Sequence, residues 1–182
     1  MTMYEQFEGG FAANRFRSSA DWFVRGKIGD VHTVRVGASG ERAVDLMHAL
    51  VASLPPHVHV SVESIREKAA WAGWDVSRND TRDVLARIKL LLASYGGVEI
   101  AVYTHDDQLT LTPELEVVVY SRLERWGRRL IALGLEERDA MPASTWRPSR
   151  HALTPAPELS ESLETSVKRL GLTRATLDIV GP

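Results

Sequence analysis

SVESIREKAAWAGWDVSRNDTRDVLARIKLLLASYGGVEIAVYTHDDQLTLT, residues 61–112, is the stretch whose reading decides the fold. Its local signals predict a short helix, a turn, a longer helix and a two-stranded hairpin. Ser61 is placed to cap a helix with Ile65, Ala69 and Ala72 on its apolar face, and Gly73 follows where a left-handed cap is usual. The next residues, 74–79, form a turn-rich connection with Trp74 and Val76 as its inward side chains. Asp80 caps the second helix, which buries Val84, Leu85, Ile88, Leu91, Leu92 and Tyr95 until Gly96 and Gly97 stop it. Val98, Ile100 and Val102 then alternate with Glu99, Ala101 and Tyr103. The chain turns at His105-Asp106-Asp107-Gln108 and returns through Leu109 and Leu111, which reads as a hairpin.

Upstream, HVHV at 57–60 alternates as a short strand, with Val58 and Val60 inward and both histidines on an exposed polar face. Before it, Ala43, Leu46, Met47, Leu50, Val51 and Leu54 lie in steps of three and one. They predict a helix from Glu41 to Leu54, capped by Ser39 and ended by Pro55-Pro56. The preceding GASGER matches neither phosphate-loop nor dinucleotide patterns, so a plain capped turn is expected there. VHTVRV at 31–36 reads as a strand, and Ser18 or Ser19 is placed to cap a short helix through Lys27. All four phenylalanines, Phe7, Phe11, Phe16 and Phe23, fall in the first 23 residues with Tyr4 and Trp22. Clustered aromatics need a surface, on this domain or on a partner.

Downstream, Thr112-Pro113-Glu114 is a helix start signal. Leu115, Val118, Val119, Leu123, Trp126, Leu130 and Leu133 then fall along one helical stripe, closed by Gly134 and Leu135. A single long helix over 113–133 is expected. Its competitor is a strand at Glu116–Tyr120 before a shorter helix, because Val-Val-Val-Tyr favours strands. Residues 140–157 hold four of the eight prolines, and a last helix at Glu158–Leu170 carries a seam of Leu159, Leu163, Val167 and Leu170. The closing TLDIV is suited to an edge strand. The expected organisation is an aromatic-rich extension (1–38), a central domain (39–135), a proline-rich linker (136–157) and a C-terminal helix and tail (158–182).

A net charge of −2 gives no bulk attraction to nucleic acid or anionic membrane. The absence of cysteine excludes disulfides and thiol chemistry, and no apolar run is long enough to span a membrane. A cytoplasmic protein that is not an enzyme is expected, with no cofactor and no metal, since no His or carboxylate cluster has a catalytic or ligating spacing.

The segments HVHVSVESIREKAAWAGW, DTRDVLARIKLLLASYGGV and VEIAVYTHDDQLTLTPE together resemble the winged helix-turn-helix superfamily over residues 41–112. That resemblance implies a mainly α fold with a small β component. The competing class is an α+β ferredoxin-like βαββαβ sandwich with strands at 31–36, 57–64, 70–76 and 98–104. The winged-helix reading implies a homodimeric DNA-binding regulator whose recognition helix offers Arg78, Asn79, Thr81, Arg82, Arg87 and Lys89 to double-stranded DNA, with Arg66 and Lys68 meeting phosphates. Phe7, Phe11, Phe16, Trp22, Phe23, Leu123 and Trp126 are the expected dimer or partner contacts. Against DNA stand Asp80, Asp83 and the acidic tip Asp106-Asp107, which favour a protein-docking subunit that does not bind DNA. A small-molecule binder or enzyme is the third reading.

Overall fold

Alternating burial along most of the chain builds a nine-stranded sheet, in a computed structural model that describes residues 21–140 and 153–175. The elements run β1 (Trp22–Ile28), β2 (Val31–Gly37), α1 (Gly40–Val51), β3 (His57–Ser64), β4 (Ala69–Ser77), α2 (Arg78–Tyr95) and β5 (Val98–Tyr103). They continue with β6 (Asp107–Leu111), β7 (Val117–Ser121), α3 (Trp126–Ala132), β8 (Glu136–Glu137), α4 (Pro157–Arg169) and β9 (Thr173–Ala175). The strand order is β8-β1-β2-β7-β6-β5-β3-β4-β9, antiparallel throughout except for the short parallel β1–β8 contact.

The mainly α winged-helix expectation is therefore overturned. Residues 61–72 do not form a helix: they complete β3, turn at 65–68 and enter β4. Helix propensity favours Glu, Lys and Ala by only about 0.7 kcal/mol per residue at most. Burying Val60, Val62 and Trp71 on the sheet is worth about 1.5–3 kcal/mol each, and that term wins. Lys68, at φ 47, closes the turn. Gly73 is not a helix cap either; it lies beside a β4 bulge where Asp75 adopts φ 59.

The long helix over 113–133 is also replaced. Thr112 closes a turn rather than a helix: its backbone N–H donates to Glu116 O at 2.8 Å, and its Oγ1 accepts from Glu116 N at 3.1 Å. Leu115 sits fully buried at φ 60, and Val117–Ser121 becomes a central strand paired on both sides, the competing strand reading. Only Trp126–Ala132 remains helical, closed by Leu135 N–H donating to Leu130 O as the Gly134-Leu135 signal predicts. The helix expected to run through Lys27 is instead β1 from Trp22 onward.

The ferredoxin-like alternative places strands at the positions of β2, β3, β4 and β5, but β7 and β6 stand between β2 and β5. These four strands therefore do not form that fold's four-stranded sheet.

All four helices of the described residues pack on one face. Val34, Val36, Val117, Val119, Leu109, Leu111, Ile100, Val102, Val60, Val62 and Trp71 form cross-strand rows beneath α1 and α2, while the Leu159–Leu163–Val167–Leu170 seam of α4 closes the far end. Helices α1, α2 and α4 match their expected apolar faces, and Gly96 and Gly97 end α2 with positive φ. The cap of α2 is Ser77 rather than Asp80: the Ser77 hydroxyl accepts from Asp80 N–H at 3.3 Å. At the start of α1 the expected cap, Ser39, makes no side-chain hydrogen bond to the helix, and a side chain on Gly40 would meet Leu115 and the Ala93 backbone.

Candidate functional site

Two surfaces of the described residues stand out once the core is assembled, and neither is the expected recognition helix. Most of the basic residues assigned to DNA are engaged inside the protein. The Arg78 guanidinium donates to Leu54 O at 2.8 Å and Ala52 O at 3.3 Å, closing the C-terminal end of α1. Arg66 donates to Thr154 O at 2.9 Å and to the carbonyls of Tyr95 and Gly96, fastening the end of α2 to the segment that leads into α4. Burial lowers its pKa from the ordinary arginine value. Thr81 is buried and donates to Ser77 O, Arg82 donates to His48 O at 3.3 Å, and Lys89 pairs with Asp45 at 2.9 Å. Only Asn79, Arg87 and Lys68 are exposed, and Lys68 sits on the β3–β4 turn rather than on α2.

Of the expected partner contacts, Phe7, Phe11 and Phe16 lie outside the described residues. Trp22, Phe23 and Trp126 are buried within the fold, and Leu123 is half exposed. Gly37 is required beneath Trp22, since any side chain there would overlap the indole.

The first surface is the sheet face opposite the helices. Register places Thr33, Tyr120, Gln108, Tyr103 and His59 side by side on β2, β7, β6, β5 and β3, with Trp74 of β4 next to His59. This row crosses six strands, about 24 Å at ordinary strand spacing. Trp74 is 79% exposed and meets His59 edge-on with centroids 4.4 Å apart. The polar side chains lean over a neighbouring row of small residues: Tyr103 bonds to Ser61 at 3.4 Å, and Gln108 donates to Thr110 at 3.1 Å. Ala101 and Thr110 are buried although they lie on this face. Beyond them, Glu63 and Glu99 stand directly opposite on β3 and β5. Burial, then Glu63 and Glu114, raise the Glu99 carboxyl above the usual glutamate range. Arg35, on the same face, is neutralised by Glu116 at 2.8 Å. No helix among the described residues lies over this face.

The second surface is a cleft of about 300 Å³ on the helix side, beyond the reach of α1, between the β1–β2 hairpin and α3. Arg25, Lys27, His32 and Val34 line one side; Ser121, Leu123, Glu124, Trp126 and Gly127 line the other. Its wall rests on Asp107, the expected wing-tip residue, which is only 5% exposed. Ser121 donates to Asp107 Oδ1 at 2.6 Å and the Trp126 indole to the same oxygen at 2.8 Å, while Arg125 pairs with Oδ2 and stacks over Trp126 at 4.8 Å. Arg25 lies against Gly127, where a side chain would collide with its guanidinium, and reaches Glu137 at 2.9 Å and Glu124 at 3.6 Å.

One signal for Asp107 was present in the sequence. Its parity matches Leu109 and Leu111, as that of Ser121 matches Val117 and Val119, so both continue the inward face by one step. Trp74 had no such signal: the bulge at Asp75 reverses the parity expected of it.

Among the described residues no group of His, Asp and Glu is placed to hold a metal, and no helix is long and apolar enough to cross a membrane. No family model matches the chain, and neither curated proteins nor solved structures yield a match.

Proposed function

We propose that this chain is a protein-docking subunit that engages another protein through the open face of its sheet and does not bind DNA. The observation that carries this reading is Trp74, largely exposed at the end of a row shared with His59, Tyr103 and Tyr120. A solvated tryptophan beside tyrosines on a rigid sheet is the composition of an interface hot spot. The partner offers apolar and basic side chains. Among the described residues Glu63 and Glu99 have no ion-pair partner, and their negative charge complements cations and repels both phosphate and an identical face of a second copy. Of the cationic side chains on which a DNA reading depends, Arg78, Arg66 and Lys89 each serve an internal contact, and Arg87 and Lys68 stay exposed.

A photo-crosslinking amino acid placed at Trp74 or Tyr120 tests this in the native host. One discrete heterologous partner is expected from both positions and none from Leu90, which is exposed on α2. Equal capture from all three positions, or capture of a second copy alone, would refute the reading. So would low-salt DNA binding that disappears when Arg82 and Arg87 are replaced by alanine.

A further inference from the structure

We propose that the cleft between the β1–β2 hairpin and α3 binds a small organic anion, an apolar body bearing one carboxylate or phosphate group. This does not rest on the docking face, which lies on the other side of the sheet and meets the cleft only at Thr33.

The cleft sits at the small end of the size range of ligand sites, and its inner lining is Val34, Leu123 and Trp126 with the low walls of Gly26 and Gly127. Nitrogen-bearing groups converge on it. Lys27 stands opposite His32 and Arg25 opposite Val34 across the hairpin, so Arg25, Lys27 and His32 share the face that Phe23 and Val36 devote to the core further along. Cationic side chains occupy inward positions where the covering helices end. Arg25 is held in place by Glu137 and Glu124, whereas the Lys27 ammonium has no acidic partner among the described residues. Lys27 and His32 therefore make the anion contact, and Arg25 shapes the wall and adds field.

A solvated sheet end would explain the cations but not the rigidity of the opposite wall. Asp107 is a buried carboxylate, a costly group to retain, and its donors Ser121, Arg125 and Trp126 belong to or flank that wall. Its hydrogen bonds fix the Trp126 ring and the 122–125 loop before any ligand arrives, which is the preorganisation a small site needs. Among the described residues Glu124 is the one carboxylate lining the cleft, and it opposes an anion.

The test is a ¹⁵N-amide titration of the full chain with phenyl phosphate and benzoate, with phenol as the neutral body and inorganic phosphate as the bare anion. Saturable shifts at Gly26, Thr33 and Gly127 are expected with the two organic anions, with weaker effects from phenol and from phosphate alone. Lys27→Gln combined with His32→Asn should weaken binding about tenfold or more, Glu124→Gln should tighten it, and Trp74→Ala should leave it unchanged. The double variant's own amide spectrum verifies its fold, and Lys27→Arg should retain binding. The proposal is overturned by shifts that do not saturate or do not localise to the cleft, by phenol binding as tightly as phenyl phosphate, or by a folded double variant with unchanged affinity.

Discussion

Trp126 donates its indole N–H to Asp107 across 2.8 Å in an interior where both side chains are almost fully shielded from water. The bond joins α3 to β6, and Ser121 adds β7 to the same carboxylate. Removing the carboxylate leaves Arg125, Trp126 and Ser121 without their acceptor. Asp107→Ala should therefore cost about 3 kcal/mol in urea unfolding, from the buried Ser121 and Trp126 donors left unsatisfied. Asp107→Asn keeps one oxygen for Ser121 and Trp126 and should cost about 1–3 kcal/mol. Equal losses for the two variants would mean that the oxygen kept for Ser121 and Trp126 contributes nothing and that the charge and second oxygen account for the whole effect.

Glu99 makes stability depend on pH. Its folded pKa is raised by burial and by Glu63 and Glu114, so the folded state resists its ionisation. The stabilisation from keeping it protonated is fully present below the unfolded glutamate pKa and is lost as pH rises through the folded value. Glu99→Gln should accordingly be more stable than the parent at pH 7, with the difference shrinking towards pH 4. Urea midpoints of both proteins across that range are the measurement. A difference that stays constant with pH would remove Glu99 as its source.

Arg66 is a fastening rather than a phosphate contact. Arg66→Ala should release the segment around Thr154 from the end of α2, costing about 1.5–3 kcal/mol for lost charge-assisted bonds. Arg66→Lys should recover only part of this, since an ammonium lacks the planar fork that reaches several carbonyls. Faster amide exchange at Gly96 and Gly97 in Arg66→Ala would report the release; unchanged exchange would contradict it.

Gly37→Ala should destabilise by about 1–3 kcal/mol, because a methyl there overlaps the Trp22 indole on the open face. The double variant Gly37→Ala with Trp22→Leu should recover part of the loss. Thermal melts of the two single variants and the double decide it.

The helices were legible because each carries its own evidence. In α1 the 43–46–47–50–51 spacing is local, and in α4 the four-residue seam is local too. At residues 57–77 the HVHV strand and the competing strands at 57–64 and 70–76 are legible, but the local pattern favours a helix from Ser61 because Ser61–Ala72 holds residues that accept either state. What decides them is Trp71 beside Val62 and Val62 beside Ile100, pairings with segments that the local pattern does not reveal. The same holds for Val117–Ser121, where helical spacing and strand propensity coexist until β2 and β6 flank the segment. Arg78 and Arg66 looked like surface cations because residue type does not tell which carbonyl a long side chain will reach. Asp107 looked like a turn tip because its acceptors' donors lie on β7 and α3.

The strand order carries a kinetic consequence. Three portions of the sheet are local hairpins or meanders: β1–β2, β3–β4 and β5–β6–β7. They are joined by two distant seams, β3 with β5 and β2 with β7, the latter setting Val34 beside Val119. Loop-closure entropy must be met before such a seam returns any energy, so chains with this topology fold in milliseconds to seconds rather than microseconds. The β2–β7 seam is also the one that completes the cleft, bringing His32 opposite Ser121. Substitutions in that seam such as Val34→Ala should therefore slow folding, and the site beside it takes its shape only when that distant pairing closes.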